Sequence, residues 1–203
     1  MNKKKAISQL KKIEEMIPDK KLRLAAEWKS RWKVLIATIL SAQTRDEKTI
    51  EICKQLFKKY NSLEKLSKAP LKDIKQIIRP LNYYKTKAKH IKQTAHIVYK
   101  RYGGRIPKEI DKLLSLPGVG RKTANVYLVV AYNAPAIGVD THVARISRKL
   151  GWTKHKNRHK IEQDLEELFP KKYYGQINWI LVRFGRTIGK NRKKEDELLK
   201  KLK

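Results

Sequence analysis

Cysteine is almost missing from this chain: Cys53 stands alone among 203 residues. One thiol cannot close a disulfide within the chain, and it cannot by itself hold a Cys-ligated zinc ion or iron–sulfur cluster. Its setting, Ile50-Glu51-Ile52-Cys53, is amphipathic, which makes it a core filler rather than a nucleophile. Long apolar runs are missing too. The longest, Val34 to Leu40, is far short of the ~20 residues that span a bilayer. The opening Met1-Asn2-Lys3-Lys4-Lys5 leads into no apolar stretch, so no secretory leader is expected. The expected setting is the cytoplasm, beside the nucleoid of a prokaryotic cell. Acidic residues are scarce: 19 Asp and Glu face 50 Lys and Arg, a formal charge of +31. A field of that strength attracts polyanions, and nucleic acid is the first partner to consider. Lysines spread over solvated helix faces would give the same total, so charge alone leaves both readings open.

Strand-like alternation is also absent, whereas helical spacing is nearly everywhere. Ile7, Leu10, Ile13 and Ile17 recur every three or four residues. So do Leu71, Ile74 and Ile78; Ala88, Ile91, Ala95 and Val98; Val143, Ile146 and Leu150; and Ile161, Leu165 and Leu168. Helix-start signals fall at Thr44 or Asp46, at Ser62 and at Pro70. Breaks fall at Pro18, Pro80, Gly103-Gly104, Pro107, Pro117-Gly118, Pro135, Gly151 and between Pro170 and Gly175. The pattern predicts an all-α protein of roughly ten helices. The stretch from Lys190 to Lys203 reads as a basic, weakly amphipathic last helix or a frayed end.

Two segments carry chemistry. In Leu116-Pro117-Gly118-Val119-Gly120-Arg121-Lys122-Thr123-Ala124, a glycine turn opens straight into a helical pattern. Glycine permits positive φ and close backbone approach, so the turn's N–H groups and the positive end of the following helix can hold a phosphate without reading bases. A plain turn between two helices would use the same glycines. Lys122, in the first helical turn, meets the positive end of the macrodipole. With Arg121 and Arg145 nearby, its amine would lose its proton more readily and become a nucleophile for a sugar C1′. On spacing alone, a lysine that neutralises a phosphate is the simpler reading. Asp140, eighteen residues further on in Gly138-Val139-Asp140-Thr141-His142, stands where an N-cap belongs. An ionised carboxylate there can also take a proton or stabilise positive charge on a sugar. His142 reads as a hydrogen-bond partner rather than a base.

At these residues the chain resembles the helix-hairpin-helix DNA glycosylases, most closely their endonuclease III family. Ser41-Ala42-Gln43-Thr44-Arg45-Asp46 is similar to the family's Ser-Ala-Gln-x-x-Asp block, and Tyr84-Lys85-Thr86-Lys87-Ala88 to its Tyr-x-x-Lys-Ala block. Leu116 to Asn125 matches the hairpin and catalytic-lysine segment, and Val139 to His142 the segment of the catalytic aspartate. Four ordered blocks do not coincide by chance, and the reading of Lys122 reverses in favour of the nucleophile. The resemblance implies two helical domains flanking a DNA-binding cleft: a barrel domain with the hairpin at 24–134, and a second domain from 1–23 and 135–203. It implies removal of an oxidised pyrimidine from duplex DNA and strand cleavage by β-elimination, with Lys122 and Asp140 catalytic. It also implies DNA contacts from Gln43, Tyr83, Leu116, Gly118, Val119, Gly120, Arg121, Thr123, His142 and Arg145. Gln43 matches the position that fills the gap left by a flipped base. Tyr83 stands where the family's intercalating leucine belongs, and an aromatic ring can stack on the orphaned base.

The chain departs from the family at its end. Trp179 to Arg186 resembles the helix leading into the family's four cluster cysteines, yet the first would fall near Gly189 and no cysteine follows. No iron–sulfur cluster and no metal are therefore expected, and the basic residues Lys190, Arg192, Lys193 and Lys194 are candidates for extra phosphate contacts. The expected partner is double-stranded DNA carrying a damaged base or an abasic site, with no membrane partner and a monomeric chain. Two alternatives stay open: the same fold acting on mismatched thymine or uracil or on an oxidised purine, and a non-catalytic helix-hairpin-helix module.

Overall fold

A computed structural model describes residues 2–203, all in helices, turns and loops, with no strand among the described residues. Twelve α-helices alternate with short connections. They are α1 (Lys3–Glu15), α2 (Arg31–Leu40), α3 (Asp46–Lys59), α4 (Leu63–Lys68), α5 (Leu71–Ile77) and α6 (Tyr84–Arg101). Then follow α7 (Ile110–Leu114), α8 (Arg121–Tyr132), α9 (Thr141–Lys149), α10 (Arg158–Leu168), α11 (Tyr174–Thr187) and α12 (Arg192–Lys200). The count exceeds the expected ten because helices as short as α4 and α7 give no apolar period to register. Among the described residues no helix is long and apolar enough to cross a membrane. The chain forms two compact units, Arg23–Tyr132 and the pair Met1–Leu22 with Asn133–Lys203.

The Arg23–Tyr132 unit is built around the chain's longest apolar run. Every residue from Val34 to Leu40 is buried, so α2 is apolar on all sides and lies inside the unit rather than on its surface. Each such side chain contributes about 1.5–3 kcal/mol on leaving water. α6 covers this core with Ala88, Ile91, Ala95 and Val98, the row its spacing predicts. Cys53 is fully buried in the same core, and burial pushes its thiol up to about 12. It is packing, as expected, and holds no thiolate at neutral pH.

The second unit depends more on polar ties. Four of its helices start with side-chain caps: Asn2 on α1, Asp140 on α9, Asn157 on α10 and Asn191 on α12 each accept a backbone N–H of the first turn. Gln9 lies in the core beside Leu10 and Ile13, where the sequence pattern has no polar residue. Both ends of its amide are satisfied. Its Nε2 donates to the Leu202 carbonyl at 2.8 Å, and its Oε1 accepts from Trp152 Nε1 at 2.7 Å. The last residues are therefore not frayed: α12 packs with Leu199 and Leu202 buried.

Candidate nucleic-acid interface and active site

The hairpin lies between α7 and α8 in the Arg23–Tyr132 unit. Gly118 is in the left-handed region at φ 79°, and a Cβ there would come within 2.9 Å of His90 Nδ1 and 3.1 Å of Ile39 Cγ2. Both the turn and the close packing of α2 and α6 therefore demand glycine. Thr94 Oγ1 of α6 donates to the Pro117 carbonyl at 2.8 Å and pins the turn from below. Gly120 differs: nothing lies within 4 Å of its absent Cβ, so it leaves open space on the exposed side of the turn.

The anion cradle is narrower than the sequence suggests. The Val119 N–H is spent inside the turn on the Leu116 carbonyl at 3.1 Å, and the side chains of Leu116 and Val119 are buried in the core. Only their backbone can face a ligand. The N–H groups of Gly118, Gly120 and Thr123 find no acceptor among the described residues. Those at Gly118 and Gly120 stand at exposed positions, whereas the Thr123 side chain is buried. Free amides at the positive end of α8 make an anion site by geometry. Arg121 is exposed and Lys122 half-buried in the first turn of the same helix.

Two further loops of this unit hold the other DNA candidates. Gln43 and Tyr83 are both left-handed, at φ 53° and 57°, a rare state for residues with a side chain. Their loops are tied together: Asn82 Nδ2 donates to the Gln43 carbonyl at 2.6 Å. Tyr83 occupies the N-cap position of α6 and is 65 % exposed, the most exposed large apolar side chain described. The loop that carries Gln43 is braced by a residue that sequence reasoning missed. Lys87 is buried on α6, and its Nζ donates to the Leu40 carbonyl at 2.7 Å and to Thr44 Oγ1 at 2.9 Å. It closes the C-terminus of α2, where a cation suits the dipole, and braces the loop that carries Gln43. Burial pulls its ammonium down to about 8. The only sequence signal was its place in the Tyr-x-x-Lys-Ala block, whose role the block does not state.

Asp140, His142 and Arg145 belong to the other unit and share α9. Asp140 is an N-cap, as its position suggests. A single oxygen, Oδ1, accepts both the His142 and Val143 N–H groups at 2.9 Å. Its Oδ2 has no hydrogen bond among the described residues, so capping leaves half of the carboxylate available. Burial lowers the His142 imidazole below its ordinary value; Asp140 opposes this, and Arg145, Arg186 and Arg192 reinforce it. His142 is therefore neutral at pH 7, and its Nδ1 lies 3.4 Å from an Arg145 nitrogen. Arg145 itself is not an open cation. Its Nε and NH2 reach Glu195 Oε1 and Oε2 at 3.0 and 2.7 Å.

The glycine turn with open amides that joins α7 to α8 is a helix-hairpin-helix arrangement. The family model of HhH-GPD superfamily base excision DNA repair proteins matches residues 36–171. Endonuclease III of Thermotoga maritima is 45 % identical over 159 residues, covering 78 % of this chain and 75 % of that protein. Endonuclease III of Bacillus subtilis is 38 % identical over 178 residues, 87 % of this chain and 80 % of the relative. A solved structure of a trapped endonuclease III–DNA covalent intermediate superposes with a TM-score of 0.84 at 35 % identity, covering 92 % of this chain and 87 % of that one. The chain belongs to the HhH-GPD superfamily and, within it, to the endonuclease III family. Among the described residues no group of His, Cys, Asp and Glu could hold a metal ion.

Proposed function

We propose that the protein is a base excision repair glycosylase with lyase activity, acting on oxidised pyrimidines in duplex DNA, with Lys122 as nucleophile and Asp140 as its partner carboxylate. Two observations support this reading: in one unit a lysine in the first turn after an open amide cradle, and in the other a capping aspartate that keeps one oxygen unspent. The cradle holds a phosphate of the damaged strand, Arg121 adds charge, and the base is extruded at a cost of a few kcal/mol. Gln43 and Tyr83 fill the gap in the stack from two loops, each held in a left-handed backbone turn. The barrel domain expected at 24–134 is assigned to the Arg23–Tyr132 unit, and the remainder to the unit bearing Asp140.

Chemically, the neutral Lys122 amine bonds to C1′ as the C1′–N bond to the base breaks, and the electron pair leaves with the base, which takes up a proton. Asp140 removes the surplus proton from the attached nitrogen and opposes the positive charge on the sugar. Ring opening gives an imine. Loss of a C2′ proton then expels the 3′ phosphate, and water frees Lys122. Open duplex DNA in the cytoplasm or nucleoid supplies the substrate.

A Cys-ligated cluster does not fit the residues present. Where the first thiolate would stand, a Cβ on Gly189 would be 2.3 Å from Glu195 Oε2, and the one cysteine is buried in α3 with its thiol protonated. We assign the chain no cluster.

Borohydride trapping on a duplex with one abasic site tests the reading. Wild type gives a covalent adduct and Lys122→Gln gives none, while both bind uncleaved duplex with affinities within about threefold. An adduct that survives Lys122→Gln would overturn it. Asp140→Asn lowers the single-turnover rate roughly 10²–10⁴-fold, the range of a positioned proton-transfer group.

A further inference from the structure

Near the end of the chain a carboxylate lies wholly inside the protein. The Glu195 side chain is 0 % exposed and sits at the centre of three cations. Arg145 grips it with two nitrogens, at 3.0 and 2.7 Å, and Lys149 Nζ reaches Oε1 at 2.7 Å. Arg192 adds NH1 at 3.3 and 3.4 Å. Lys149 also pairs with Asp196 at 2.6 Å, so α12 meets α9 through two acids and two α9 cations. A buried charge is tolerated only when paired and hydrogen-bonded, and here both oxygens are. The surroundings leave no room to spare: Gly189 abuts Glu195 Oε2, and a Cβ on Gly185 of α11 would be 2.1 Å from His142 Nδ1 and 3.1 Å from Arg145 NH2.

The network ends on the residues that matter for the reaction. Arg145 lies three residues from His142 and touches its ring, and Asp140 caps the same short helix. We infer that Glu195 is a positioning residue: through Arg145 and Lys149 it fixes α9, and with it the angle of Asp140, against the C-terminal segment. An ion-pair knot thereby does the tethering at the very place where the resemblance puts a metal cluster. The inference rests on the proposed role of Asp140. Neutralising Glu195 would leave Arg145, Lys149 and Arg192 with Asp196, on Lys149, as the remaining acid of the knot. α9 would shift to separate the cations, and Asp140 would move with it. Simple loss of stability is the competing account, and the two differ in whether Glu195 and Asp140 act on one another.

A double-mutant cycle separates them. Single-turnover base release from a duplex with one thymine glycol is measured for wild type, Glu195→Gln, Asp140→Asn and the double variant, at temperatures well below each Tm. Glu195→Gln lowers the saturating rate at least about tenfold and shifts the half-saturating concentration less than about threefold, and in the double variant the losses do not multiply. Arg145→Met, which keeps the unbranched aliphatic stem and removes the guanidinium, reproduces the defect if Glu195→Gln folds poorly. A saturating rate within about twofold of wild type, or losses that multiply, overturns the inference. If wild type itself gives neither base release nor a borohydride adduct, the proposed function fails instead.

Discussion

In the Arg23–Tyr132 unit the groups proposed to meet DNA are backbone amides left open at a glycine turn, and the notable buried charge is a lysine bonded to neutral oxygens. In the other unit the proposed catalytic carboxylate caps its own helix, and the notable buried charge is a glutamate saturated by cations. The difference suits the roles proposed for each. A polyanion meets the first through N–H groups, which stay wet and satisfied by water until phosphate displaces it, so they can remain unpaired at the surface. A single carboxylate must be aimed, and aiming needs a side-chain lattice with no slack. The first unit is thus defined by backbone shape and the second by charge pairing.

The strongest way to break that contrast is to give the hairpin a side chain. Gly118→Ala forces a left-handed alanine, about 1–2 kcal/mol, and pushes its methyl into His90 and Ile39, with overpacking adding about 1–3 kcal/mol. A fall of several degrees in Tm and a loss of duplex affinity are expected. Gly120→Ala is the matched control. Its methyl meets nothing within 4 Å, so stability changes by less than about 1 kcal/mol while phosphate access narrows. Calorimetry and duplex titration read both. Equal destabilisation by the two substitutions would mean that the turn is not shaped by backbone demand.

Most of this was legible in the sequence because the informative residues work locally. The buried rows of α6, α9 and α10 follow apolar spacing, and Asp140 caps the helix its position announces. Gly118 proved essential for the conformational reason that glycine suggests. What escaped were long-range polar ties. Glu195 looks like one acid in a basic surface tail, and only the fold brings Arg145 and Lys149 onto it from about fifty residues away. Gln9 breaks an apolar row because partners at Trp152 and Leu202 arrive from the far end of the chain. Lys87 resembles any other lysine until Leu40 and Thr44 surround it. Arg145 was expected to contact DNA, and its pairing with Glu195 went unseen, since spacing says nothing about which acid will reach it.

The next test sets the acid limit of the charge-paired unit. Burial raises Glu195, but hydrogen bonds and charge from Arg145 and Lys149 overcome this and hold it at about 2, against 4.5 for a free glutamate. The folded value is depressed, so its stabilising contribution is complete above about pH 4.5 and is lost as pH falls through 2. The full effect is roughly 3 kcal/mol. The stability gap between wild type and Glu195→Gln, followed by urea unfolding, should stay constant from pH 7 to 5 and shrink below 4. A gap that persists unchanged at pH 2 would show that the carboxylate is not ionised in the network.

Lys87 sets the opposite limit, with the smallest expected effect. Its folded value of about 8 lies below the 10.5 of an exposed lysine, so between those two values the unfolded chain holds more protons than the folded one. Stability attributable to Lys87 therefore rises with pH across that window, the same sign as for Glu195 but at the alkaline end. At pH 7 Lys87→Met removes two hydrogen bonds and also a desolvated charge, and the two nearly cancel, leaving a change of about 1 kcal/mol or less. Two consequences remain visible. The variant lacks the alkaline rise that wild type shows between pH 8 and 10, and its duplex affinity drops because the Leu40 carbonyl and Thr44 hydroxyl no longer hold the Gln43 loop in its left-handed turn. If Lys87→Met follows the wild-type pH profile and binds duplex equally well, the brace is idle and the wedge loops are held by Asn82 and their own packing alone.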